Sequence, residues 1–184
     1  MKLLLIRHGQ PDYTEVTQRH FVGHGRDLAK LSPKGIAQAE AVSRDPRLLD
    51  ADLILSSPYT RALQTAAIIS RSTGLSIQVE TDLIEWMPDL TFSFSGPEHF
   101  GEIEAELRRC RGEWNPQCKY HWESYSDLGR RAFDVIKKYM DHETVIVVAH
   151  GMLMRQFVYM DEVPSCQIIE CEFTPGSVPT GFIR

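Results

Sequence analysis

Two short apolar runs constrain what this chain can fold into. Leu3-Leu4-Leu5-Ile6-Arg7-His8-Gly9 stands near the start of the sequence and Thr144-Val145-Ile146-Val147-Val148-Ala149-His150-Gly151 near its end. Each is too short for a helix with its own buried stripe. Their unbroken apolar character fits strands covered on both faces, as in a parallel sheet. Each run then stops at His-Gly. Ligands of an open parallel sheet bind outside the carboxyl ends of its strands, so both histidines fall where chemistry is usually done. A lone Arg-His-Gly is better explained by a surface arginine and a histidine bonded to a backbone carbonyl. The repetition argues otherwise, because two buried strands that both end in His-Gly can lie side by side and bring two imidazoles to one point. Glycine at these positions lets backbone turn or approach a ligand closely.

Between these runs the pattern alternates. After a polar, irregular stretch from Pro11 to Lys30, read as a long loop carrying His20 and His24, Ser32-Pro33 opens a helix with serine as N-cap. Ile36, Ala39 and Val42 give it an apolar face, and it ends before Pro46. Asp52-Leu53-Ile54-Leu55 reads as a strand, and the serines of Ser56-Ser57-Pro58 as caps of a helix that carries Arg61 in its first turn and closes at Gly74. A cation there opposes the helix dipole, a conflict that a bound anion removes. A short strand from Ser76 to Val79, an amphipathic helix from Asp127 to Met140, a helix from Met152 to Tyr159 and an edge strand from Ile168 to Thr174 complete the pattern.

This alternation predicts an α/β protein, a three-layer α/β/α fold with a mainly parallel central sheet. The expectation is one domain over residues 1–184, with a small helical cap excursion at about 86–125. That excursion is rich in aromatic residues and contains a helix from Glu98 to Arg111, folded over the sheet edge beside the site. The aromatics pack it onto the body, and some also face the substrate.

Composition removes several function classes. With 42% hydrophobic residues among 184, the chain suits a sizeable core. A net charge of -5 without a basic stripe argues against nucleic acid as a partner. No apolar stretch is long enough for a membrane span or a signal-peptide core. Cys110, Cys118, Cys166 and Cys171 lack the close spacing of a zinc site and the density of a secreted disulfide framework, so they read as free thiols of a cytoplasmic protein.

Arg7, His8, Arg61 and His150, with Glu85 entering from the start of the excursion, make a compact set of strand-end residues. Forked arginine donors match the oxygens of a tetrahedral anion, which points to a phosphoryl group. Sulfate or a carboxylate could fill such a pocket, but neither accounts for two histidines. The motifs Arg7-His8-Gly9, Ser56-Ser57-Pro58 with Arg61-Ala62-Leu63-Gln64-Thr65-Ala66, Leu83-Ile84-Glu85 and Val147-Val148-Ala149-His150-Gly151 span nearly the whole chain. In them the sequence resembles the histidine phosphatase superfamily, the phosphoglycerate-mutase-like group. The resemblance implies His8 as nucleophile, Glu85 as proton donor, and Arg7, Arg61 and His150 as the phosphate pocket. Gly151 joins the substrate-binding set, as does Thr14, which stands where many members carry an asparagine that touches phosphate. Gln10-Pro11 and Trp86-Met87-Pro88-Asp89-Leu90 depart from the family pattern.

The activity so implied is hydrolysis of a phosphate monoester through a phosphohistidine, with no metal and no other cofactor. Glu85 would hold its proton through desolvation by the cap around Trp86. The substrate class is a small-molecule phosphate ester, or a phosphoprotein. Two alternatives share the residues: a mutase, which must exclude water and return the phosphoryl group to a re-oriented product, and a non-catalytic module that only binds phospho-ligands.

Overall fold

The computed structural model describes residues 1–92 and 99–181. The chain begins with strand β1 (Lys2–Arg7), followed by the two-residue strand β2 (Pro11–Asp12), helix α1 (Thr14–Gln18), a 3-10 turn at Gly23–Leu28 and strand β3 (Lys30–Leu31). Helix α2 (Pro33–Val42), strand β4 (Leu53–Ser56), helix α3 (Thr60–Thr73) and strand β5 (Ile77–Val79) come next. Then follow helices α4 (Phe100–Arg109) and α5 (Tyr125–Lys137), strand β6 (Thr144–Ala149), helix α6 (Gly151–Met154) and strand β7 (Ile168–Glu172).

Five strands form the main sheet in the order β5-β4-β6-β1-β7. Its first four run parallel, and β7 closes the edge antiparallel to β1. Strand alternation sends Leu3, Leu5, Leu55, Val145 and Val147 into one core with α5, Trp86 and Trp122. Leu4, Ile6, Ile54, Ile146 and Val148 enter the other, against Val42 of α2 and Ala62, Ala66 and Ile69 of α3. Helices therefore cover both faces, in three α/β/α layers. Each fully buried leucine of β1 contributes about 1.5–3 kcal/mol of transfer free energy, which makes the unbroken apolar run necessary.

The register sets the site. Arg7 of β1 stands opposite Ala149 of β6, and Ser56 of β4 opposite Val148. His8 and His150 are thus the next residues on neighbouring strands, and Ser57 follows on the third. The His8 amide donates to the Ala149 carbonyl at 3.1 Å, and the Ser57 amide to that of Val148 at 3.1 Å, carrying the ladder one step past the strands.

Several expectations need correction. The Pro11–Lys30 stretch is not a plain loop: it holds a one-turn helix, a 3-10 turn and a β2–β3 pair. Ile36 is 40% exposed, while Gly35, Ala39 and Val42 form the buried stripe of α2. The cause is backbone proximity, since a Cβ on Gly35 would lie 2.2 Å from the Gln10 carbonyl oxygen. Ser32 does cap α2, accepting from the Gly35 amide. The α3 N-cap is Tyr59, without a side-chain cap, and Ser57 Oγ instead accepts from the Tyr59 amide at 3.3 Å. Gly74 ends α3 in the left-handed conformation. The helix expected from Met152 to Tyr159 is the single turn α6, and Tyr139 lies past the end of α5. Phe100–Arg109 is helical, but Glu98 lies outside the described residues. All four cysteines are free thiols. Among the described residues no helix is long and apolar enough to cross a membrane.

Candidate active site

His8 is 5% exposed, and its Nδ1 lies 2.8 Å from the Gly9 carbonyl oxygen. A carbonyl only accepts, so Nδ1 carries the proton and Nε2 keeps its lone pair. Arg61 Nε, from the first turn of α3, donates to that Nε2 at 3.1 Å. Burial first, and the Arg61 charge second, hold the imidazole down at about 3 from the usual 6.5, against the opposing pull of the Gly9 bond. His8 is neutral and in a nucleophilic tautomer.

The His150 ring lies 5.1 Å from that of His8, edge to face, and is fully buried. Its Nε2 is 2.7 Å from Ser57 Oγ. That hydroxyl also accepts the Tyr59 amide, and its second lone pair and its proton serve either tautomer of His150. Nδ1 has no partner among the described residues. Burial, then the charges of Arg61 and neighbouring groups, push His150 well below its usual range. Arg7 is anchored through Nη1 to the Val163 carbonyl at 2.7 Å, while its buried Nε is also unpartnered. The unpartnered Arg7 Nε–H and the unpartnered His150 nitrogen, with the Arg61 guanidinium beside them, fit an anion with several acceptor oxygens.

Glu85 reaches the same place from the end of the segment after β5. Its Oε1 accepts from the amides of Trp86 at 2.9 Å and Leu153 at 3.1 Å, and its Oε2 from that of Met152 at 3.2 Å. Both lone pairs of Oε1 are used, which leaves Oε2 as the oxygen able to carry a proton. Three backbone donors thus hold the carboxylate beside the apolar Trp86, Met87 and Pro88 side chains. Arg131 of α5 fixes the backbone behind it, donating to the carbonyls of Ile84 at 2.8 Å and Glu85 at 3.0 Å while paired with Glu123.

The sequence matches the histidine phosphatase superfamily (branch 1) over residues 3–177. This chain belongs to that superfamily. A glucosyl-3-phosphoglycerate phosphatase of Mycobacterium tuberculosis is 28% identical over 167 residues, covering 83% of this chain and 71% of the relative. The native structure of a mycobacterial glucosyl-3-phosphoglycerate phosphatase superposes with a TM-score of 0.63 at 26% identity, over 84% of this chain and 76% of that one. The fold is shared more widely: an alpha-ribazole phosphatase from Shigella flexneri gives a TM-score of 0.67 at 19% identity, over 99% and 96% of the two chains.

Within this histidine phosphatase site, the structure brings Arg7, His8, Arg61, Glu85 and His150 together. Gly151 joins them, since a Cβ there would lie 3.8 Å from Arg7 Nε and 3.9 Å from Glu85 Oε2. Thr14 does not. It is exposed at the start of α1, its amide tied to Asp12 Oδ1, and it is absent from the cavity lining. His20, just past the Arg19 cap of α1, is in a left-handed conformation and also outside the lining, whereas His24 lines it. Asp27 was not foreseen. Its Oδ1 takes Arg61 Nη1 at 3.0 Å and its Oδ2 faces His24 Nδ1 at 3.1 Å, so a side chain supplies the anion that Arg61 requires at a helix start. Among the described residues no group of three or more His, Cys, Asp and Glu side chains is placed to hold a metal ion.

Proposed function

We propose that this protein is a metal-independent phosphatase that hydrolyses a small phosphate monoester through a phosphohistidine on His8. The observation that carries the reading is the neutral His8, its proton held on Nδ1 by Gly9 and its Nε2 covered by the Arg61 guanidinium.

A bound phosphoryl dianion draws Arg61 onto its oxygens and so uncovers Nε2. Arg7 Nε, and His150 in the tautomer with its proton on Nδ1, supply the further donors, and these groups balance charge on the equatorial oxygens during transfer. His8 Nε2 attacks phosphorus in line, the ester P–O bond breaks, and Glu85 Oε2 passes its proton to the leaving oxygen. General acid help of this kind is worth about 10²–10⁴ in rate. The resulting Glu85 carboxylate then takes a proton from water as water attacks the phosphohistidine, which releases inorganic phosphate and restores neutral His8.

In the same reading the segment 86–125 acts as a cap over the leaving group, within a single domain. Its support is that Trp86, Met87, Pro88, Asp89, Phe92 and Phe100 line the cavity. The cytoplasmic location expected from the cysteine pattern is part of the proposal, as is the absence of nucleic-acid and membrane partners.

The test is phosphate release from p-nitrophenyl phosphate and from 3-phosphoglycerate, with and without EDTA, by the wild type and His8→Ala. Release by the wild type, indifferent to EDTA and abolished in the variant, is expected. Conversion of 3-phosphoglycerate to its 2-phospho isomer without release would identify a mutase, and phosphate binding without turnover a silent module. Loss of activity on chelation would overturn the metal-free route.

A further inference from the structure

We propose that the site selects phosphomonoesters whose alcohol carries an aromatic ring and, beyond it, a carboxylate read by Arg26. The inference rests on the phosphatase reading and adds the leaving group to it.

A cavity of about 470 Å³ opens from the phosphate pocket, a size that takes a whole small molecule. Its depth is marked by exposure: His8 and Arg61 are each 5% exposed, whereas Tyr13, Phe100 and Phe92 reach 38%, 39% and 55%. Between these ends Tyr59, Trp86, Met87 and Pro88 give the walls aromatic and apolar surface, beside the polar His24, Asp27 and Asp89. Trp86, itself 3% exposed, meets Phe100 edge to face at 6.3 Å and so holds the Phe100 ring at the cavity mouth, where it can contact a flat ring.

Several polar side chains of the described walls are already engaged with one another. His24 Nδ1 is held by Asp27 at 3.1 Å and the Tyr59 hydroxyl is 3.1 Å from that same nitrogen. Asp27 also holds Arg61, and Asp89 Oδ1 takes the amide and hydroxyl of Thr91 at 2.8 and 2.6 Å. A polyol or sugar alcohol entering here would compete with these bonds for partners, which is costly, whereas a ring gains by leaving water. Arg26 is different. Its guanidinium lies 5.6 Å over the Tyr13 ring, and among the described residues it pairs with no carboxylate. A forked cation stacked on an aromatic at the cavity rim matches a planar carboxylate held beyond a ring.

The experiment compares kcat/KM for three primary alkyl esters: glycerol 3-phosphate, benzyl phosphate and carboxybenzyl phosphate, the last as the faster of its 3- and 4-isomers. Their leaving groups are alike in chemistry, so the ratios read the cavity. Benzyl phosphate should exceed glycerol 3-phosphate by tenfold or more, and carboxybenzyl phosphate should exceed benzyl phosphate by a further fivefold or more. Within Arg26→Gln the second ratio should fall to near one. Within Phe92→Ala the first should shrink, and as both positions are at the rim, circular dichroism of each variant should match the wild type. Glycerol 3-phosphate turned over through His8 as well as benzyl phosphate would overturn this inference and leave the phosphatase reading standing. A carboxylate advantage that survives in Arg26→Gln would overturn the role of Arg26. Failure of every ester, with no phosphohistidine formed, would remove the phosphatase reading and this inference with it.

Discussion

Replacing Glu85 by glutamine separates its two duties, holding the backbone and supplying a proton. The glutamine oxygen can keep the bonds from Trp86 and Leu153 that Oε1 now accepts. Its amide nitrogen then takes the place of Oε2 and meets the Met152 amide, a donor against a donor where a bond of 3.2 Å stood. An unpaired N–H in such a place costs about 1–3 kcal/mol. That cost is the same whatever ester is bound. The lost proton is not: a benzyl alkoxide cannot depart without one, while p-nitrophenolate can, and general acid catalysis is worth about 10²–10⁴. In single-turnover rapid quench, which isolates phosphorylation of His8, benzyl phosphate should lose about 10²-fold or more. p-Nitrophenyl phosphate should lose clearly less. Steady-state rates would blur the difference, because the same carboxylate serves the water step. Equal losses for the two esters in the isolated first step would refute Glu85 as the acid and turn attention to Asp89, which also lines the cavity.

Asp27→Asn removes the carboxylate from the Arg61 pair, a side chain that is only 6% exposed; inorganic phosphate should then inhibit more tightly, since a negative charge beside the anion is gone, while kcat falls as Arg61 loses its anchor. Product-inhibition constants and turnover, measured together, check both signs. Acid should destabilise the fold through His8. Its folded-state value of about 3 lies below the usual 6.5, so the unfolded chain binds the proton first, and the stability present above pH 6.5 is lost as pH falls toward 3, by up to about 1.4 kcal/mol per pH unit. His150 shifts in the same direction. Urea midpoints at pH 7 and pH 5 should show the drop, and His8→Ala should reduce it. Leu5→Ala opens a fully buried position on an interior strand and should cost about 2–5 kcal/mol in urea unfolding, with less than about 1 kcal/mol refuting the core placement.

The parts of the fold legible in the sequence were those with a local signature. β1 and β6 are unbroken apolar runs, Ser32-Pro33 is a capped helix start and Gly74 a left-handed helix end, and each occurs as read. The meeting of His8 with His150 followed from equal strand endings, because parallel register converts equal endings into neighbouring side chains. What escaped depends on distant backbone. Ile36 faces water because Gly35 must approach Gln10, a contact invisible in the spacing of apolar residues. Asp27 lies in a polar stretch with no periodicity, and only the packing of its 3-10 turn on α3 gives it to Arg61. The three amides around Glu85 belong partly to α6, a turn too short to show in a hydrophobic pattern. Thr14 was assigned from the family pattern alone, and the Asp12 turn directs it elsewhere.

The covalent step on His8 can be seen directly. Wild-type protein mixed with a 32P-labelled phosphate ester and quenched in alkali within one turnover should carry label that survives base and is lost in acid, the behaviour of phosphohistidine. Peptide mapping should place it on the fragment bearing His8, and His8→Ala should carry none while remaining folded by circular dichroism. Label on His24 or His150, or full turnover by the wild type and by His8→Ala with no trapped phosphohistidine in either, would contradict the account.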